Sequence, residues 1–413
     1  MRGRLRIGVI LGLGLVTARG VLALYYLLLI HRMAPGDYGD FAYAMSILGV
    51  LVMVSDGGFS RLLLRDVARA GADRGRRVWT LLAVRTAWVG AITLIVGIAS
   101  VAGAFSFSDA FVAWMLAYMT LEAGGAGFDA AGQAADRPCL VSGAQLASAV
   151  SLAAWGVVLL VWKLTPSLAL AGLAGASAVR LLAQVPGWLR ERPAQRWWPG
   201  LARARGLLKE ALPLLILASL TVLYYRLDVI ILHLRRGSVE TASYAAAYRV
   251  LDAAVTLAGV AFTAIAPHMS RVLADHEQAV WREWCRYLLA VGLLAVPGTI
   301  AIAAAAEPLA GVLFGHRYGR SAGENLVLLS PGIAFMAMQI VNASVVLMSS
   351  DRRAVVRLTL FNLAFNLVVT WFLVGADGAH GASIATSVAE AVTFVGFAVL
   401  VRRRHRSSPS PHG

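Results

Sequence analysis

Charge is scarce in this sequence. Asp, Glu, Lys and Arg supply 14% of its residues, against about 25% in a soluble globular domain, and the shortfall excludes an ordinary water-soluble fold. Cysteine is nearly absent. Cys139 and Cys285 stand alone, which excludes a disulfide framework and a thiolate metal site, and both fall at expected cytoplasmic helix ends as packing residues. No P-loop, paired His/Glu metal motif or Gly-x-Ser-x-Gly elbow occurs, so a single-chain ATP-driven pump is excluded. Segments between the apolar runs are short on the outer side, the longest spanning about 307–322. That leaves no outer domain for a nucleotide, and no place for the catalytic groups of a membrane-embedded glycosyltransferase or polymerase. The expectation is a protein that is not an enzyme, with no cofactor and no metal. His31, His233 and His380 lie near outer helix ends and read as interfacial residues.

What is there is apolar. Hydrophobic residues make up 59% of the chain and the mean hydropathy is +0.71. A hydrocarbon core about 30 Å thick needs about 20 helical residues per crossing, and twelve such spans can be placed: 7–30, 40–64, 78–101, 109–132, 139–162, 167–189, 211–234, 240–266, 285–306, 323–348, 354–374 and 380–401. With the N-terminus inside, 24 of the 37 basic residues fall in cytoplasmic segments, six outside and seven within spans. The positive-inside rule therefore predicts that both termini lie in the cytoplasm, and the expected location is the cytoplasmic (inner) membrane. The net charge of +15 is mostly this inner rim. It predicts contact with anionic membrane lipids and no nucleic acid.

The chain is also doubled. A shift of 206 positions aligns Tyr38 with Tyr244, Arg65 with Arg271, and Gly175-Ala176-Ser177 with Gly381-Ala382-Ser383. Six spans per half is an even number, so both halves insert the same way up as parallel repeats. The predicted fold is all-α and polytopic, with about twelve transmembrane helices in two parallel six-helix lobes around a central cavity. Residues 1–200 form the N-lobe and 201–413 the C-lobe with a short basic tail, joined through the basic, proline-containing stretch 190–210.

Apart from Arg357, counted with the cytoplasmic end of its span, seven arginines fall inside the spans: Arg19, Arg61, Arg85, Arg180, Arg226, Arg249 and Arg286. Each costs roughly 2.5 to 3.5 kcal/mol at a helix centre, about 20 kcal/mol together, so acidic partners or an anionic ligand must answer them. Arg226 and Arg249 lie roughly 12 to 14 Å below the outer ends of their spans, and Arg19 sits near the same level. Neutralisation by Asp56, Glu122, Asp129, Asp228, Asp252 and Glu390 is the structural alternative. Arg249 and Asp252 are three apart and can pair on one helix face, whereas Arg226 and Asp228, two apart, cannot. Arg61, Arg85 and Arg286 lie near cytoplasmic ends, within reach of headgroups. Arg180 is deep, but its repeat equivalent is Thr386. Gln339 with Asn342, and Asn362 with Asn366, share helix faces that either line a polar path or bond helices together.

The run from His31, HRMAPGDYGDFAYAMSILGVLVMVSDGGFSRLLLRDVAR, resembles the opening of bacterial polysaccharide and O-antigen flippases of the multidrug/oligosaccharidyl-lipid/polysaccharide exporter superfamily. So do YYRLDVIILHLRRGSVETASYAAAYRVLDAAV, PLAGVLFGHRYGRSAGENLVLLSP and GAHGASIATSVAEAV. The resemblance implies a cavity lined chiefly by spans 1, 2, 7 and 8, alternating access, and a cationic site for an anionic pyrophosphate headgroup. Carried onto this sequence, the substrate-binding residues are Arg19, Arg226 and Arg249, with Arg61 as a weaker fourth. Asp56, Asp228 or Asp252 would couple transport to H⁺ or Na⁺. The expected partners are a lipid-linked oligosaccharide, membrane lipids and glycan polymerase machinery. The alternatives are a major-facilitator-type transporter and a multidrug/cation antiporter, the latter disfavoured because an arginine-lined cavity repels organic cations.

Overall fold

The computed structural model describes residues 2–69, 74–105, 107–189, 200–254, 256, 279–315, 317–346 and 352–407. Among them the regular structure is entirely helical. The helices are α1 (Arg2–Arg32), α2 (Pro35–Asp56), α3 (Phe59–Arg69), α4 (Arg74–Val101), α5 (Asp109–Ala134), α6 (Pro138–Val161), α7 (Pro166–Leu189), α8 (Gly200–Arg236), α9 (238–254), α10 (Ala279–Ala304), α11 (Ala306–Phe314), α12 (Gly319–Val346) and α13 (Arg352–Ser407). Nine stretches among the described residues are long and apolar enough to cross a membrane. Outward faces such as Leu289, Leu293 and Leu294 on α10 are bare leucine, as a bilayer demands. Part of the linker (190–199), most of 255–266 in the eighth expected span, and Arg271 lie outside the described residues.

Two expected elements take a different form. The span over 40–64 is two helices, because α2 ends at Gly57, left-handed at φ 64°, and α3 starts afresh at Phe59. α3 is amphipathic. Phe59, Leu62, Leu63 and Val67, at helical spacing, pack into a core with Val78 and Leu82 of α4, Ala131 of α5 and Trp188 of α7, while Arg61 and Arg65 stay exposed. Arg65 is tied to Asp66 at 2.7 Å and to Glu210 of α8 at 2.8 Å. Within the stretch expected as the longest outer loop, residues 306–314 form the short helix α11.

α13 holds two expected spans. Asp377 and Gly378 leave helical geometry, and a Cβ on Gly381 would lie 2.0 Å from the Leu373 carbonyl oxygen, so the chain doubles back into arms 352–376 and 379–407. The tip between α8 and α9 fastens this turn. Arg235 donates to the Trp371 carbonyl at 2.5 Å, and Arg236 to those of Val374 and Gly375 at 3.1 and 2.6 Å. The Glu240 carboxylate accepts the Ala379 N–H at 3.0 Å. Cations thus meet the carbonyl end of one arm and an anion meets the N–H end of the next, as helix dipoles favour.

The chain forms two compact units, Met1–Arg226 and Leu227–Gly413. In the first, α5 packs against α2, α3, α4 and α7, and α6 joins α1 to α7. In the second, α12 packs against α10, α11 and α13. The repeat is visible in detail. Tyr38 and Tyr244 are both fully buried. Ser177 of α7 donates to Glu122 of α5, and its equivalent Ser383, on the second arm of α13, donates to Asn325 of α12.

Candidate functional site

The intramembrane arginines divide by whether an acid answers them. Arg85, only 3% exposed at its side chain, lies 2.8 Å from Asp56. It is buried in an ion pair rather than extended to headgroups as its position suggested, because α5 receives it: a Cβ on Gly127 would lie 2.1 Å from its Nη1. Arg180 pairs with Glu122 at 3.0 Å and also donates to the Glu122 carbonyl. Its neighbour is Gly125, where a Cβ would lie 2.6 Å from Arg180 Nε. Arg249 pairs with Asp252 at 3.1 Å, the i, i+3 contact its spacing allows. Arg286, largely exposed, lies 3.7 Å from Glu283.

Arg19, Arg61 and Arg226 form the other group. Among the described residues none of the three makes a hydrogen bond or an ion pair. Arg19 is exposed on α1. Arg61 is exposed on α3. Arg226 is half-buried on α8, with Nε 3.7 Å from where a Cβ on Gly49 of α2 would sit. Each guanidinium offers five N–H donors in a planar fork suited to phosphate.

The three candidate coupling carboxylates differ as well. Asp56 is engaged by Arg85 and by the hydroxyl and N–H of Ser60, where it caps α3. Asp252 is engaged by Arg249. Asp228, 3% exposed, accepts from the Tyr244 hydroxyl of α9 and from Thr386 of α13 at 3.2 Å, and the two hydroxyls lie 2.9 Å apart. Thr386 is the repeat equivalent of Arg180. Each answers a carboxylate within its own unit, so the position keeps its role while the residue type changes.

A polar network in the first unit escaped the sequence reading of single residues. Glu122 and Asp129 lie seven apart on α5, and Ser177, Arg180 and Gln184 follow at helical spacing on α7, so each set shares one face. Ser177 donates to Glu122 at 2.7 Å. Gln184 and Gln145 donate to the two oxygens of Asp129 at 2.8 and 2.7 Å. The spacing was the available signal. Gln339 and Asn342 bond helices together instead of lining a path: Asn342 accepts from Trp284 at 3.0 Å and donates to Gln339 and to the Phe394 carbonyl.

Solved structures place this architecture in a known class. The fold is similar to that of "Lipid II flippase MurJ, inward closed conformation", with a TM-score of 0.77 at 10% identity over 95% of this chain and 87% of that one. It is also similar to an inward-facing multidrug resistance MATE family transporter of the MOP superfamily, with a TM-score of 0.68 at 13% identity over 94% and 96%. A mutant of the Vibrio cholerae MATE transporter VcmN gives 0.68 at 15% identity over 99% of both chains. These likenesses establish a two-lobed MurJ/MATE-like fold. No curated protein sequence matches the chain. The family described as "Polysaccharide biosynthesis protein" matches residues 6–273, and the chain belongs to that family.

Proposed function

We propose that this protein moves an isoprenyl-diphosphate-linked oligosaccharide from the inner to the outer leaflet of the cytoplasmic membrane for surface polysaccharide assembly, by alternating access. The observation that carries this reading is the sorting of the arginines. Carboxylates answer Arg85, Arg180, Arg249 and Arg286, whereas Arg19, Arg61 and Arg226 keep their donors unengaged among the described residues. A diphosphate is the ligand that matches such forks, since guanidinium–phosphate bonds are bidentate and strongest where water is sparse. Arg249, shared with Asp252, is the fourth candidate ligand. Membership in a polysaccharide biosynthesis family and a fold like that of a protein described as a lipid II flippase support a lipid-linked substrate.

For the coupling ion, H⁺ or Na⁺, the candidate carboxylates are Asp56, Asp228 and Asp252, of which Asp228 is the most buried and accepts from two hydroxyls. The multidrug reading draws on the MATE likeness, but unengaged cations disfavour a cationic drug. Deletion of the gene followed by analysis of surface glycan and lipid-linked intermediates tests the proposal. Complete repeat units retained on the cytoplasmic leaflet are expected. Unchanged glycan with altered drug sensitivity would support an exporter instead.

A further inference from the structure

Among the described residues, the contact of α5 with α7 holds two acids and one base. Between α5 and α7 lie Glu122 and Asp129 of α5 and Arg180 of α7, while Arg85 of α4, paired with Asp56 of α2, meets α5 at Gly124 and Gly127. Tyr118 lies on the same helix, one turn before Glu122. The only ionisable residue of α6 is Cys139, which is exposed. Arg180 is committed to Glu122, with contacts of 3.0 Å to both its carboxylate and its carbonyl. Asp129, 9% exposed, meets only side-chain amides directly, those of Gln184 and Gln145. A buried carboxylate answered chiefly by neutral donors bears a large desolvation penalty, which a proton removes.

A second observation concerns Gln184, which is fully buried. Its Nε2 donates to Asp129, yet its Oε1 has no hydrogen-bond partner among the described residues, and the same holds for Arg180 Nε. Turned end for end, as a side-chain amide can be, Gln184 would face Asp129 with Oε1 and leave one hydrogen to be supplied by the carboxyl group. Buried acceptors are seldom left without a donor.

We propose that Asp129 is a proton-binding site of the first unit. It is held as the neutral acid at neutral pH, donating its O–H to the Oε1 of a Gln184 amide turned end for end, while Glu122 and Arg180 form the permanent ion pair. Loss of that proton leaves two carboxylates competing for one guanidinium, whose unpartnered Nε is then drawn to Asp129. The contact of α5 with α7 becomes sensitive to protonation. This site deepens the coupling-ion part of the proposed function but stands on observations that involve no substrate.

The test uses the full chain in nanodiscs without substrate. Infrared titration of the wild type should show a buried carboxylic C=O band at neutral pH that Asp129→Asn removes and Asp252→Asn, in the second unit, retains. Asp129→Asn, an isostere of the neutral acid, should melt at or above wild type, whereas Glu122→Gln, which strands Arg180, should melt lower. In Gln145→Met, which removes one amide donor, the band should shift. A band of full intensity in Asp129→Asn, a band that does not move in Gln145→Met, melting of Asp129→Asn as low as Glu122→Gln, or loss of the band on adding Na⁺ at fixed pH would each overturn the proposal. Glycan export is scored separately, so failure of the flippase reading leaves these readouts intact.

Discussion

At the residue scale the intramembrane arginines divide into those paired with a carboxylate and those without a partner among the described residues, which are the proposed ligands of the diphosphate. Removing one partner of a buried ion pair leaves an uncompensated charge and costs about 3 to 5 kcal/mol. Arg85→Leu strands Asp56 and Arg180→Leu strands Glu122, so both variants should show strongly lowered melting temperatures in detergent. Arg19→Ala and Arg226→Ala break no bond among the described residues. They should change stability by no more than about 0.5 kcal/mol while losing glycan export in a complementation assay. Loss of export through misfolding would appear as loss of the melting transition, which keeps the two effects apart. That arginines occupied the membrane was legible in the sequence, and so was the spacing of Arg249 with Asp252. Which arginines had partners on other helices was not, since Arg85 meets Asp56 from 29 residues away and Arg180 meets Glu122 from 58. Such pairs are decided by helix packing.

At the element scale the long apolar helices were readable because a run of about 20 uncharged residues has few other fates. The break after α2 and the amphipathic α3 were not, because hydropathy averaged over a window hides a change of helix face. Close helix approach was equally hidden. α5 admits two guanidinium groups because Gly125 and Gly127 lack side chains. Gly127→Val should therefore displace Arg85 and lower stability by about 1 to 3 kcal/mol, measured as a drop in melting temperature, whereas Gly90→Ala, with nothing within 4 Å, should be neutral or slightly stabilising. The hairpin in α13 makes a second case. Gly378 has φ 51°, and a Cβ there would lie 1.8 Å from a Glu240 carboxylate oxygen. Gly378→Ala should destabilise the hairpin, raising hydrogen exchange at residues 371–383 ahead of the rest of the second unit.

At the scale of the whole molecule the doubling was legible from matches 206 residues apart, because both units bury the same tyrosine and use the same serine to bridge equivalent helices. Functional equivalence was less legible. Arg180 and Thr386 occupy one repeat position, and each supports a carboxylate with different chemistry. The expected orientation has its own check in the two native cysteines. Cys139 is exposed and Cys285 half-buried, both at expected cytoplasmic helix ends. An impermeant thiol reagent should label Cys139 in inverted vesicles and not in intact spheroplasts; labelling only in spheroplasts would reverse the topology. The central claim is that guanidinium groups without acidic partners carry a lipid diphosphate across the membrane. Its most direct test is leaflet exchange of a fluorescent isoprenyl-diphosphate oligosaccharide in proteoliposomes, comparing wild type with Arg19→Gln/Arg226→Gln. The account predicts exchange by wild type and none above protein-free liposomes by the folded double variant; exchange by that variant at the wild-type rate would contradict it.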